Sequence, residues 1–65
     1  MNRKDGDPWL TTEQVAERYP GTSASTVRYW RMMGTGPKGM KVGRRVLYRL
    51  SSVLAWEHQR EATGG

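Results

Sequence analysis

Residues 41–49 read KVGRRVLYR, with four cationic side chains in nine positions and Val42, Val46, Leu47 and Tyr48 filling most of the gaps. Val42 and Val46 flank Gly43-Arg44-Arg45, and Gly at the first central position of a two-residue loop suits a type II′ turn. The stretch is therefore predicted to fold as a short β-ribbon over Lys41 to Arg49, with Arg44 at its tip. Its apolar residues would fix two strands to a body while its cations reach beyond that body. The plainer reading, a surface turn with solubilising charges, leaves the tight Gly43 turn and the paired arginines without a purpose.

Outward from the ribbon, the charge pattern continues. The formal net charge is +5, and the six acids are Asp5, Asp7, Glu13, Glu17, Glu57 and Glu61. No acid lies between Glu17 and Glu57, an interval that holds Arg18, Arg28, Arg31, Lys38, Lys41, Arg44, Arg45 and Arg49. Ordinary soluble surfaces intersperse both signs, so a one-signed interval of this length reads as a footprint for a polyanion. A membrane surface would require one long helix with a basic and an apolar face, and the Gly and Pro residues divide the chain too finely for that.

A chain of 65 residues supports one small core. Three Trp, three Tyr and four Met, with no Phe, must supply most of the burial. With no Cys and one His, the disulfide and zinc supports of small folds are not expected. His58 on a helix flank suggests neither metal nor catalysis. No apolar run approaches a membrane span or a signal-peptide core, which favours a soluble, cytoplasmic protein.

Residues 1–8 mix charges with Gly and Asn and read as a loose leader; the ordered domain is expected over 9–61, with a flexible tail over 62–65. Thr11 followed by Gln14 matches a capping box, and Leu10 with Val15 matches a hydrophobic staple, so a helix is predicted from Thr12 until Pro20 stops it near Tyr19. Val15, Ala16 and Tyr19 share its inner face, and Glu13 and Glu17 the outer, which should avoid phosphate. Ser23 caps a second helix over Ala24 to Met33, closed by Gly34. Thr26, Val27, Trp30 and Met33 fall on its inner side, Ser25, Arg28 and Met32 opposite, with Tyr29 and Arg31 flanking. GTGPKG, residues 34–39, is a loop. A last helix is predicted with Ser51 as N-cap and Val53 and Trp56 facing inward. Trp9, Trp30 and Trp56 are assigned to the core. The fold class is thus mainly α with a small β-hairpin: helix, helix, hairpin wing, helix, a winged helix-turn-helix.

WLTTEQVAERYPGTSASTVRYW, GTGP and KVGRRVLYRLSSVLAW resemble the winged helix-turn-helix of the MerR-like and excisionase group of small bacterial and phage DNA-binding proteins. The match spans roughly residues 9–57; its most specific parts are the spacing of Ser23, Ser25, Thr26, Val27, Arg28 and Trp30, and the VGRR turn followed by Tyr48, Arg49, Ser51 and Ala55-Trp56. With no long dimerisation helix or effector domain in the chain, the likeness is greatest to a phage excisionase. That resemblance implies a recombination directionality factor that binds attachment-site DNA in tandem, bends it and biases a tyrosine integrase toward excision, without chemistry or cofactor of its own.

Carried onto this chain, the family's recognition helix falls on Ala24 to Met33 and its DNA-reading positions on Ser25, Arg28, Tyr29 and Arg31; its wing tip falls on Gly43, Arg44 and Arg45. Arg28 is the best candidate for reading guanine, the commonest specific pairing for Arg. Tyr29 fits packing or backbone contact equally. Ser23, Lys38, Lys41 and Arg49 are assigned to the phosphate backbone, and the arginines of the wing to a minor groove, where negative potential concentrates. Leu47 and Leu54 stand where these domains usually carry polar groups, which fits either a head-to-tail contact between copies or a larger core. Alternatives are a small repressor or activator on the same fold, and a basic module for an acidic protein surface. An enzyme is not expected, since no carboxylate pair or nucleophile with a base stands out. The whole reading requires that the guanidinium groups of the second helix and the ribbon tip share one side, far from every carboxylate.

Overall fold

The structure, a computed structural model, describes residues 6–63. Its elements are β1 (Trp9–Thr11), α1 (Thr12–Glu17), α2 (Ala24–Met33), β2 (Met40–Val42), β3 (Arg45–Arg49) and α3 (Leu50–Ala62). Three helices and a small antiparallel sheet make a winged helix-turn-helix, as the sequence predicts.

Local chemistry sets the helix starts. The Thr11 hydroxyl accepts from the Gln14 N–H at 3.1 Å, and the Gln14 side chain accepts from the Thr11 N–H at 2.9 Å, completing the capping box. α1 ends at Glu17, slightly before the expected stop. Ser23 caps α2 by accepting from the Thr26 N–H at 3.3 Å, and Gly34, with φ 72°, closes it.

The hairpin forms in the predicted place. Lys41 pairs with Val46 and Val42 with Arg45. Gly43 has φ 62°, and among the described residues no non-glycine residue has positive φ, so Arg44 does not. Positive φ at the first central residue and not at the second is the II′ pattern rather than I′.

The sheet is larger than predicted. β1 pairs antiparallel with β3, Trp9 opposite Arg49 and Thr11 opposite Leu47, giving the order β1-β3-β2. β3 is thereby the central strand, and both α1 and α3 pack on it. The core comprises Val15, Ala16, Val27, Tyr48 and Val53, with Leu10, Tyr19, Trp30 and Val46 packed against it. Tyr48 is the largest fully buried side chain. The 34–39 loop crosses its ring so closely that a Cβ at Gly39 would lie 2.7 Å from it. Beside this core, Tyr19, Trp30 and Trp56 form an aromatic triangle with centroids 5.1–6.0 Å apart. The Trp56 indole donates to the Thr35 carbonyl at 2.8 Å, tying α3 to the same loop.

Several expectations need correction. Ser51 is not the N-cap of α3: the helix begins at Leu50, Arg49 holds the cap position, and no side chain of that residue caps it. The cap comes from Asp7 instead, whose carboxylate accepts from the Ser51 N–H and the Ser51 hydroxyl, both at 2.7 Å. Those bonds, the backbone one first, hold the Asp7 carboxyl below its ordinary value. Asp7 and Pro8, assigned to the leader, are thus engaged with α3, the Pro8 carbonyl accepting from the Leu50 N–H at 3.0 Å. Positions 1–5 of that leader and 64–65 of the tail lie outside the described residues. Trp9 is 39% exposed and lies under the Arg49 guanidinium, 4.1 Å from the ring centroid, so it is not core. Met33, the last residue of α2, is exposed, and Val42 is exposed because it pairs with Arg45 on the side of the sheet away from Val46 and Tyr48. Leu54 is exposed as well, so the core reading for it fails, while Leu47 is half-buried.

Candidate nucleic-acid interface

An open cleft of about 590 Å³ runs between α2 and the wing. α2 contributes Arg28 and Arg31 to its wall, and the wing contributes Lys41, Arg44 and Arg45. Thr11, Thr12, Val46 and Tyr48 lie at its base. Five cations therefore share one concavity although they are spread over 18 positions of sequence, from 28 to 45. The fold brings them together by two devices. The phase of α2 that buries Val27 turns Arg28 outward, and the alternation of the strands that buries Tyr48 sets Lys41 and Val46 on the same side of the sheet.

Tyr48 links the core to this cleft. Burial pushes its phenol above the ordinary value, while the nearby Arg31 charge and the Thr12 hydroxyl pull against that rise. The Arg31 guanidinium reaches the Gly39 carbonyl at 3.5 Å, a weak contact that leaves it available to a stronger acceptor. Ser25 and Tyr29 are exposed on α2, at the first and second turns of the helix. Ser23 is spent on the cap, though the same helix end still offers backbone N–H groups to a phosphate.

The requirement that no carboxylate approach these arginines fails in one place. Arg28 donates to Glu13 at 3.3 Å, an ion pair with both side chains more than 60% exposed. The α1 face that carries Glu13 was expected to stay clear of the basic face; α1 and α2 pack so that it borders the cleft instead. The remaining half of the requirement holds, since α2 and the ribbon tip do face the same opening.

Lys38 and Arg49 do not join the cleft. They line a shallow depression on the opposite face of the sheet with Trp9, Met40, Leu47 and Ser52. Strand alternation explains Arg49: Tyr48 points inward, so its neighbour points outward, where it stacks on Trp9 and donates to the Asp7 carbonyl at 3.3 Å.

A family profile described as a helix-turn-helix domain matches residues 9–61, most of the chain. The chain belongs to the helix-turn-helix domain family. No curated protein and no solved structure matches it. For a helix-turn-helix domain, α1 and α2 are the two helices of the motif and α2 is the one placed to enter a major groove, so membership supports sequence-specific DNA binding. Among the described residues, no helix is long and apolar enough to cross a membrane.

Proposed function

We propose that this helix-turn-helix domain is an excisionase, a DNA-bending factor that directs a phage tyrosine integrase toward excision and performs no chemistry itself. The observation that carries the reading is the single cationic cleft joining α2 to the wing tip. α2 lies in a major groove with Ser25, Arg28 and Tyr29 toward base edges, and Arg44 and Arg45 enter the neighbouring minor groove around the Gly43 turn. The strand between the two grooves passes through the cleft, where Arg31 and Lys41 meet its phosphates. Bending costs on the order of a few kcal/mol, and contacts shared between adjacent copies offset it better than one small domain does. Leu47, in the depression beside Trp9 and Met40, and the exposed Leu54 offer apolar surface for such a head-to-tail contact. The likeness of the 9–57 stretch to the excisionase branch of MerR-like domains supports the same assignment and, with it, a protein that works on DNA in the cytoplasm of a bacterial host.

Gel shift with circularly permuted phage attachment-site DNA, with and without the integrase, tests the proposal. A ladder of discrete complexes with position-dependent mobility, and integrase activity switched toward excision, are the expected results. A single shift at a promoter with no effect on the integrase would make the protein a small transcriptional regulator. With about five or six phosphates neutralised per site, log K should fall with log salt at a slope near −5. Replacing Leu47 and Leu54 together by Ser should abolish the ladder while lowering the melting temperature by no more than roughly 4–8 °C, the share of the half-buried Leu47.

A further inference from the structure

Among the described residues, Glu13 is the one acid lining a cleft that otherwise carries five cations. Its position in the first turn of α1 is favourable to the helix dipole, but the capping box of Thr11 and Gln14 is complete without its side chain. Its carboxylate lies 3.3 Å from Arg28, the α2 cation best placed to read a base. Among the described residues, Arg31, Lys41, Arg44 and Arg45 make no ion pair, so Arg28 is the only cleft cation held by a carboxylate there. The pair is exposed and single-pronged, hence readily exchanged for a better acceptor.

We infer that Glu13 attenuates DNA binding by competing with DNA for Arg28. On a duplex that presents a guanine edge to Arg28, two aligned acceptors, O6 and N7, replace one carboxylate oxygen, and the exchange is favourable. On a duplex without that edge, Arg28 stays with Glu13. The pair is then neutral and contributes nothing to phosphate attraction, and any release of Arg28 toward phosphate leaves a bare carboxylate facing the DNA backbone. When Arg28 moves to guanine the same carboxylate is left bare, so Glu13 lowers affinity for both duplexes, and most for the one on which Arg28 must be released. The inference deepens the DNA-binding reading and rests on it.

The test uses two duplexes of equal length, one selected by the wild-type protein from a randomised pool and one of mixed sequence. Glu13→Gln keeps the shape and removes the charge. Affinity for the selected duplex should rise roughly threefold, affinity for the mixed duplex should rise by no more than that, and the salt slope on the mixed duplex should steepen by about 0.9 as Arg28 becomes free to neutralise one more phosphate. In an Arg28→Ala background the same substitution should leave only the smaller gain, equal on both duplexes, of removing one negative charge. The same tightening with and without Arg28 would reduce Glu13 to a background charge and overturn the inference, as would no change on either duplex. A melting temperature that falls while both affinities are unaltered would assign Glu13 to helix stability alone. If the wild-type protein enriches no sequence from the pool, the DNA-reading function itself fails, an outcome distinct from any of these.

Discussion

Arginine meets glutamate at both ends of the helical layer. Where α1 meets α3, Arg18 reaches Glu57 at 2.8 Å, and the Tyr19 hydroxyl donates to the same carboxylate oxygen at 2.6 Å. Beside the cleft, Arg28 reaches Glu13 at 3.3 Å with no third partner among the described residues. The first pair is one-third exposed or less, and the second nearly two-thirds. In the first, burial raises the Glu57 carboxyl, but the hydrogen bonds from Tyr19 and Arg18 outweigh it and leave the group below its ordinary value. Burial, reinforced by the bond to Glu57, pushes the Tyr19 phenol up to about 12, so it remains a donor throughout the neutral range. Identical side-chain types thus give a strut that joins two helices 39 positions apart and, on the other face, a contact that water or DNA can take over. Charge placement alone does not distinguish them; the surrounding burial does.

Breaking the strut is the severest test of that contrast. Glu57→Ala leaves Arg18 and the Tyr19 hydroxyl without their shared acceptor, and should cost about 1–3 kcal/mol of stability, read as a lowered melting temperature. At this chain length each kcal/mol corresponds to roughly 4–8 °C. DNA affinity of the folded protein should stay within about twofold; a large loss would mean that the strut shapes the cleft.

Arg28→Ala should do the reverse. An Arg reading a base edge is worth about 1–3 kcal/mol of affinity, so binding of the selected duplex should weaken roughly 10–100-fold while the melting temperature scarcely moves. Comparable loss of stability would place the two pairs in one class and remove the distinction drawn between them.

A smaller effect separates the pairs by pH. A carboxyl depressed in the folded state contributes stability that is complete above the usual carboxylate range and is lost as pH falls through the depressed value. Glu57 and Asp7 both have that sign. Urea melts between pH 7 and 3 should therefore show stability falling with acid, and Glu57→Gln should flatten part of the fall. An unchanged profile would contradict the strut. Least of all, Glu13→Gln should alter stability by under about 1 kcal/mol, the range of an exposed pair and a first-turn charge combined.

Much of the architecture was legible in the chain because it depends on neighbours in sequence. Thr11 with Gln14, Ser23 with Thr26, and Gly43 before Arg44 each complete their structure within three residues, so the α1 and α2 starts and the wing turn were predictable. Part of the cationic face was legible for the same reason: the phase of α2 turns Arg28 outward, and the Gly43 turn carries Arg44 at its tip. Errors concentrate where a partner is distant. β1 is three residues long and exists through its pairing with β3, about 38 positions away. The Asp7 cap of α3 spans 44 positions, and a Ser at the right offset offered a plausible local substitute. Arg49 and Lys38 read as cations of the same block until the sheet separated its two faces.

Capping chemistry, turn geometry and the one-signed interval from Arg18 to Arg49 were determined by the amino-acid order itself, since each rests on backbone and side-chain preferences expressed over a few residues. Which cation faces the cleft, which stacks on Trp9, and which is met by a carboxylate were decided by the packing of α1 on α2 and of β1 on β3. Charges interact through space, and only the folded chain assigns the distance and the dielectric that give each one its strength.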